Sequence, residues 1–76
     1  MSRQGGRQFI AAELVAVVLA VEVTEGQRVE AGDTLVLLES MKMEIPVLAE
    51  APGVVELIKV ASGDQVQDGD TLVVLA

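Results

Sequence analysis

The stretch AVVLAVEVTEGQRVEAGDTLVLLE (16–39) comes back, without a gap, as GVVELIKVASGDQVQDGDTLVVLA (53–76). At an offset of 37, eleven of twenty-four positions are identical: Val17/Val54, Val18/Val55, Val23/Val60, Gly26/Gly63, Val29/Val66, Gly32/Gly69, Asp33/Asp70, Thr34/Thr71, Leu35/Leu72, Val36/Val73 and Leu38/Leu75. Two copies are too few for a solenoid, whose units need further neighbours to bury their faces. The repeat therefore predicts two similar halves packed about an approximate two-fold axis.

Each half reads the same way. A valine-rich strand leads to a glycine turn, at Gly26 or Gly63. A short piece centred on Val29 or Val66 follows, then a second turn at Gly32-Asp33 or Gly69-Asp70, then a strand Thr-Leu-Val-X-Leu. Glycine reaches positive φ without a Cβ clash, which suits it to these turns. Asp33 and Asp70 read as turn and cap residues. No segment longer than ten residues shows 3.6-residue periodicity free of Gly or Pro, so helices are not expected. Valine favours extended backbone. The expectation is an all-β sandwich or barrel of about eight short strands, near 10–18, 19–23, 28–30, 33–39, 44–48, 53–60, 65–67 and 70–76. Residues 1–9 read as a flexible polar leader and 10–76 as one folded domain.

Composition narrows the chemistry. The chain has 76 residues, so it holds one domain. It has no Cys, His, Trp or Tyr, and Phe9 is its single aromatic residue. Disulfides, thiol chemistry and histidine-based catalysis are excluded, and the core must be Val, Leu, Ile and Ala. Ser40 and Ser62 have no evident base, and no motif places a carboxylate pair. Twelve acids against five bases give a formal charge of −7, which argues against nucleic acid as a partner. The opening MSRQGGRQFIAAELVAVVLAVEV places arginines before an apolar stretch, the pattern of an export signal. That stretch carries Glu13 and Glu22 and is too short to span a bilayer. Residues 16–26 also match 53–63, so they belong to the folded pair.

Between the two copies lies ESMKMEIPV (39–47). Strand 33–39 leads in and strand 44–48 leads out, which predicts a hairpin with a tip of four or five residues. Its centre, Met41-Lys42, lacks the Gly or Asn that tight hairpins favour. Lys42 and Lys59 are the only lysines. Lys59 aligns with Glu22 inside a strand and reads as a solvated strand residue; Lys42 sits on a turn between two methionines.

With the duplication, the two Gly-Asp turns and APGVV at 51–55, ESMKMEIPV resembles the attachment signature of the biotinyl/lipoyl carrier domains, and most closely the small single-domain biotin carboxyl carriers. The resemblance covers about Ala12 to Ala76. It implies a flattened barrel, or barrel-sandwich hybrid, of two four-stranded antiparallel sheets with an internal pseudo-two-fold repeat. It implies that Lys42 projects from one end, with the termini near the other, and that a biotin protein ligase joins biotin to the Lys42 amine. Met41 and Met43 match the flanking methionines that favour biotin over lipoate. Glu39 matches an acidic position that such ligases recognise. Many members carry Pro-Gly where this chain has Val15-Ala16; Pro52-Gly53 keeps it in the second half only. No protruding thumb insertion and no Pro/Ala-rich linker is evident, so a free-standing carrier is implied.

The resemblance also implies a task. A lysine-type ammonium loses its proton only near pH 10.4, so the ligase must supply the base. The domain supplies one well-presented amine. Acylation would remove one positive charge, taking the formal total from −7 to −8. The biotinyl arm, about ten bonds at about 1.3 Å each, would reach on the order of 13 Å. Such a tether holds its cargo at an effective concentration near millimolar. The family's reaction is CO2 transfer between a biotin carboxylase and a carboxyltransferase acting on an acyl-CoA or related acceptor. The expectation is a non-catalytic cytoplasmic carrier subunit with no membrane partner. Two other readings stay open: a lipoyl carrier, and an unmodified acidic β module that binds a partner through its acidic face or a sheet edge.

Overall fold

The computed structural model describes residues 6–76. Eight strands follow in order: β1 (Gln8–Ala11), β2 (Ala16–Val21), β3 (Arg28–Val29), β4 (Thr34–Ser40), β5 (Met43–Leu48), β6 (Gly53–Ile58), β7 (Gln65–Val66) and β8 (Thr71–Leu75). They form two four-stranded sheets, ordered β1-β8-β6-β3 and β5-β4-β2-β7, with every pairing antiparallel. This is the expected all-β class and strand number.

The two-fold relation is written into the hydrogen bonds. Gly26 N–H donates to the Val55 carbonyl at 2.7 Å, and Gly63 N–H donates to the Val18 carbonyl at 2.8 Å. Val55 N–H donates to Gln27, and Val18 N–H donates to Asp64, both at 2.8 Å. Each pair is related by the sequence offset of 37. Gly26 and Gly63 stand at φ 91° and 96°, where a Cβ would be strained. The Asp33 carboxylate accepts from Glu30 N–H and that of Asp70 accepts from Gln67 N–H, both at 2.8 Å, so both aspartates close turns as expected.

The halves also trade strands. β3, from the first half, pairs with β6; β7, from the second, pairs with β2. Each sheet is thus completed by the other copy. The central strands β4 and β8 bury Leu35, Val36 and Leu38, and Leu72 through Leu75, while Phe9 is 65% exposed. The core is aliphatic, as the composition requires.

The first two strands differ from expectation. Instead of 10–18 and 19–23, β1 ends at Ala11 and β2 begins at Ala16. In between, the chain crosses from one sheet to the other, held where Ala12 N–H donates to Asp70 O and Gly69 N–H donates to Ala12 O, each at 2.8 Å. Strand β1 also takes in Gln8 and Phe9, two residues assigned to the leader, and Arg7 Nε reaches Glu56 Oε1 at 2.6 Å. The leader expectation for residues 1–5 lies outside the described residues. Ala16, in place of the missing glycine, is buried in β2 opposite Val66.

Candidate attachment site

Strands β4 and β5 pair from Thr34↔Leu48 down to Glu39↔Glu44 and Ser40↔Met43. Only Met41 and Lys42 remain between the last partners, so the tip holds two residues, not the four or five expected. Met41 has φ 53° and Lys42 φ 64°, the only non-glycine residues with positive φ among those described. Positive φ at both central residues of a two-residue hairpin is the pattern of a type I′ turn, whose twist matches that of the strands. An L-residue in this region carries about 1–2 kcal/mol of strain. A seven-residue strand paired over most of its length, much of it buried, forces the chain into this turn despite the absence of Gly or Asn.

The result is a rigid projection. Met41 is 90% exposed and Met43 60%; Lys42 and Glu39 are exposed too. Among the described residues Lys42 makes no ion pair and no side-chain hydrogen bond. The foot of the hairpin is tied down: Ser40 Oγ donates to the Val15 carbonyl at 3.0 Å. That contact has no signal in the sequence, because Ser40 and Val15 lie 25 residues apart.

The four residues named from the sequence fall into two groups. Met41, Lys42 and Met43 are contiguous at the tip. Glu39 lies one pair below, on the outer face, between Val17 of β2 and Glu44 of β5. Glu44 was not expected there. Like charges placed directly opposite on a sheet repel. Lys59 follows the end of β6 rather than lying within it; its N–H donates to Leu72 O at 2.9 Å. Its backbone is therefore held in the barrel, whereas Lys42 stands clear of it. No group of three or more metal-ligating side chains occurs among the described residues.

The tip and the strand ends occupy opposite ends of the barrel. Gln8 pairs with Leu75, and β1 runs from there to Ala11, which four residues join to Ala16 beside the hairpin foot.

The chain is similar to known proteins in sequence and in fold. The biotinylated protein TB7.3 homologue of Mycolicibacterium smegmatis is 70% identical over 40 residues, 53% of this chain and 56% of that protein. Biotinylated protein TB7.3 of Mycobacterium tuberculosis is 65% identical over the same length and shares. The chain thus spans about half the length of the curated relatives it matches. Among solved structures, urea carboxylase of Kluyveromyces lactis superposes with TM-score 0.89 at 29% identity, over 100% of this chain and 7% of that one. A single-chain, multi-domain long-chain acyl-CoA carboxylase gives 0.86 at 32%, over 97% and 8%. The lipoyl domain of the 2-oxoglutarate dehydrogenase complex of Azotobacter vinelandii gives 0.71 at 32%, over 82% and 78%. Residues 10–75 match the Biotin_lipoyl family, described as "Biotin-requiring enzyme", and the chain belongs to that family.

Proposed function

We propose that the chain is a carrier that holds biotin as an amide on Lys42 and serves a biotin-dependent carboxylase. The observation that carries this reading is the lysine itself: unpaired, exposed, and held at φ 64° on a two-residue turn at the end of a rigid barrel. In the loading step the Lys42 nitrogen attacks the carbonyl of an activated biotin. The amide C–N bond forms, the activating group leaves with its electron pair, and the ligase takes the proton. The protein's part is to orient: Met41 and Met43 offer apolar surface on either side of the amine, and Glu39 offers a carboxylate one step below. Bound biotin supplies a ring nitrogen able to accept and give up CO2. The likeness to domains inside a urea carboxylase and a long-chain acyl-CoA carboxylase supports carboxylase partners. A ligase and carboxylase of this kind would meet the chain in the cytoplasm.

Co-expression with a biotin ligase, followed by avidin blotting, tests the reading. We expect a signal from the native chain and none from Lys42→Arg. A signal that survives Lys42→Arg, or its absence from the native chain, would contradict it. The likeness to a lipoyl domain keeps lipoate as a second reading. Methionines beside the lysine favour biotin, since lipoyl domains usually place an acidic residue or alanine there. Intact mass separates the two cofactors.

A further inference from the structure

Strands β1 and β5 are the outer edges of their sheets and are related by the pseudo-two-fold. Beside them opens a groove of about 420 Å³, a volume within the range of small-molecule sites. Its apolar lining includes Ile10 of β1, Leu14 of the β1–β2 link, Leu38 of β4, and Ile45 and Val47 of β5. Two carboxylates border it, Glu13 in the link and Glu50 just past β5. Ile45, Val47 and Leu14 are half-buried and pack on the core from its edge.

The groove begins at Ile45, three residues past Lys42. Side chains on a strand alternate between faces, so Met43, Ile45 and Val47 form one row. Two residues of strand span about 7 Å, so Met43 lies about that far above Ile45. Lys42 immediately precedes Met43. An arm reaching on the order of 13 Å from Lys42 therefore covers Met43 and ends where Ile45, Leu38 and Leu14 open the groove. Glu13 lies at this same end, because residues 12–15 run toward the hairpin foot that Val15 anchors.

We propose that the biotinyl arm rests folded back over Met43 into this groove, its hydrocarbon part against Ile45 and Leu14 and a ureido N–H donated to the Glu13 carboxylate. The chemistry matches end to end: an apolar chain along an apolar row, then a neutral double donor beside an acceptor. The domain thus shelters its own arm between loading events. The proposal rests on Lys42 bearing biotin.

The test compares methyl and amide NMR spectra of the full chain before and after biotinylation, with intact mass reporting the modification. We expect the methyl signals of Leu14, Ile45 and Val47 to shift on biotinylation while those of Val23 and Val29 hold still. Glu13→Ala, an exposed position, should reduce the docked fraction about threefold, the scale of a half-solvated polar contact. It should leave the apo spectrum otherwise unchanged. A mass showing biotin on the chain, with shifts confined to residues 40–44, would overturn the docking and leave the carrier reading standing. A mass showing no biotin would overturn both.

Discussion

At the residue scale, the proposed attachment site rests on two L-residues in a conformation glycine would take more easily. Met41 and Lys42 both lie in the left-handed region. Met41→Gly should relieve that strain: the folded state should gain up to about 1 kcal/mol in denaturant titrations. The same change should slow biotinylation, because it removes the flanking apolar surface and loosens the turn. Equal ligation rates for both proteins would show that the ligase ignores Met41. Gly53 makes the opposite case. A Cβ there would lie 2.8 Å from the Ala76 carbonyl oxygen, a backbone atom with little room to move. Gly53→Ala should destabilise by about 1–3 kcal/mol in thermal melts, with biotinylation of the folded fraction intact. The sequence displayed the lysine and its methionines openly. It hid the two-residue turn, since Met-Lys carries none of the usual signals, and turn length here is set by strand pairing.

At the element scale, the offset of 37 predicts matched energetics. Gly26 and Gly63 have nearly the same φ and donate equivalent hydrogen bonds. Gly26→Ala and Gly63→Ala should each destabilise by about 1 kcal/mol or more, and by similar amounts in chemical denaturation. A large difference would mean that the halves are alike in outline only. Sequence comparison revealed β2, β3 and β4 as counterparts of β6, β7 and β8. It missed that β1 is the counterpart of β5. Within the paired strands no position is identical, and only Ala12/Ala49 and Glu13/Glu50 just beyond them match, because edge strands such as these, with Phe9 and Leu48 exposed, are held to no common side-chain pattern. Pro46 in β5 fits this position: its ring nitrogen donates no hydrogen bond, which an edge strand tolerates and a central strand does not. The link at 12–15 reads as strand in the sequence for a related reason. It is as apolar as its flanks, and only the crossing between sheets interrupts pairing.

At the scale of the whole molecule, exchange of β3 and β7 between the halves makes the barrel a single cooperative unit. A small chain buries a modest part of its surface, so neither half has a core to spare. Unfolding should be two-state, with circular dichroism and hydrogen exchange of β4 and β8 reporting one transition. Separate transitions for the two halves would contradict the exchanged-strand architecture. This cooperativity serves the tip. A turn strained by its own residues keeps its shape only on a barrel that does not yield, and Lys42 is presented at the end remote from β1's start and β8's finish.

Attachment at Lys42 is tested by tandem mass spectrometry of the chain purified from its own host, with peptides spanning Lys42 and Lys59 resolved. We expect the mass of biotin on Lys42 and none on Lys59. A bare Lys42, a lipoyl mass in its place, or biotin on Lys59 would contradict it.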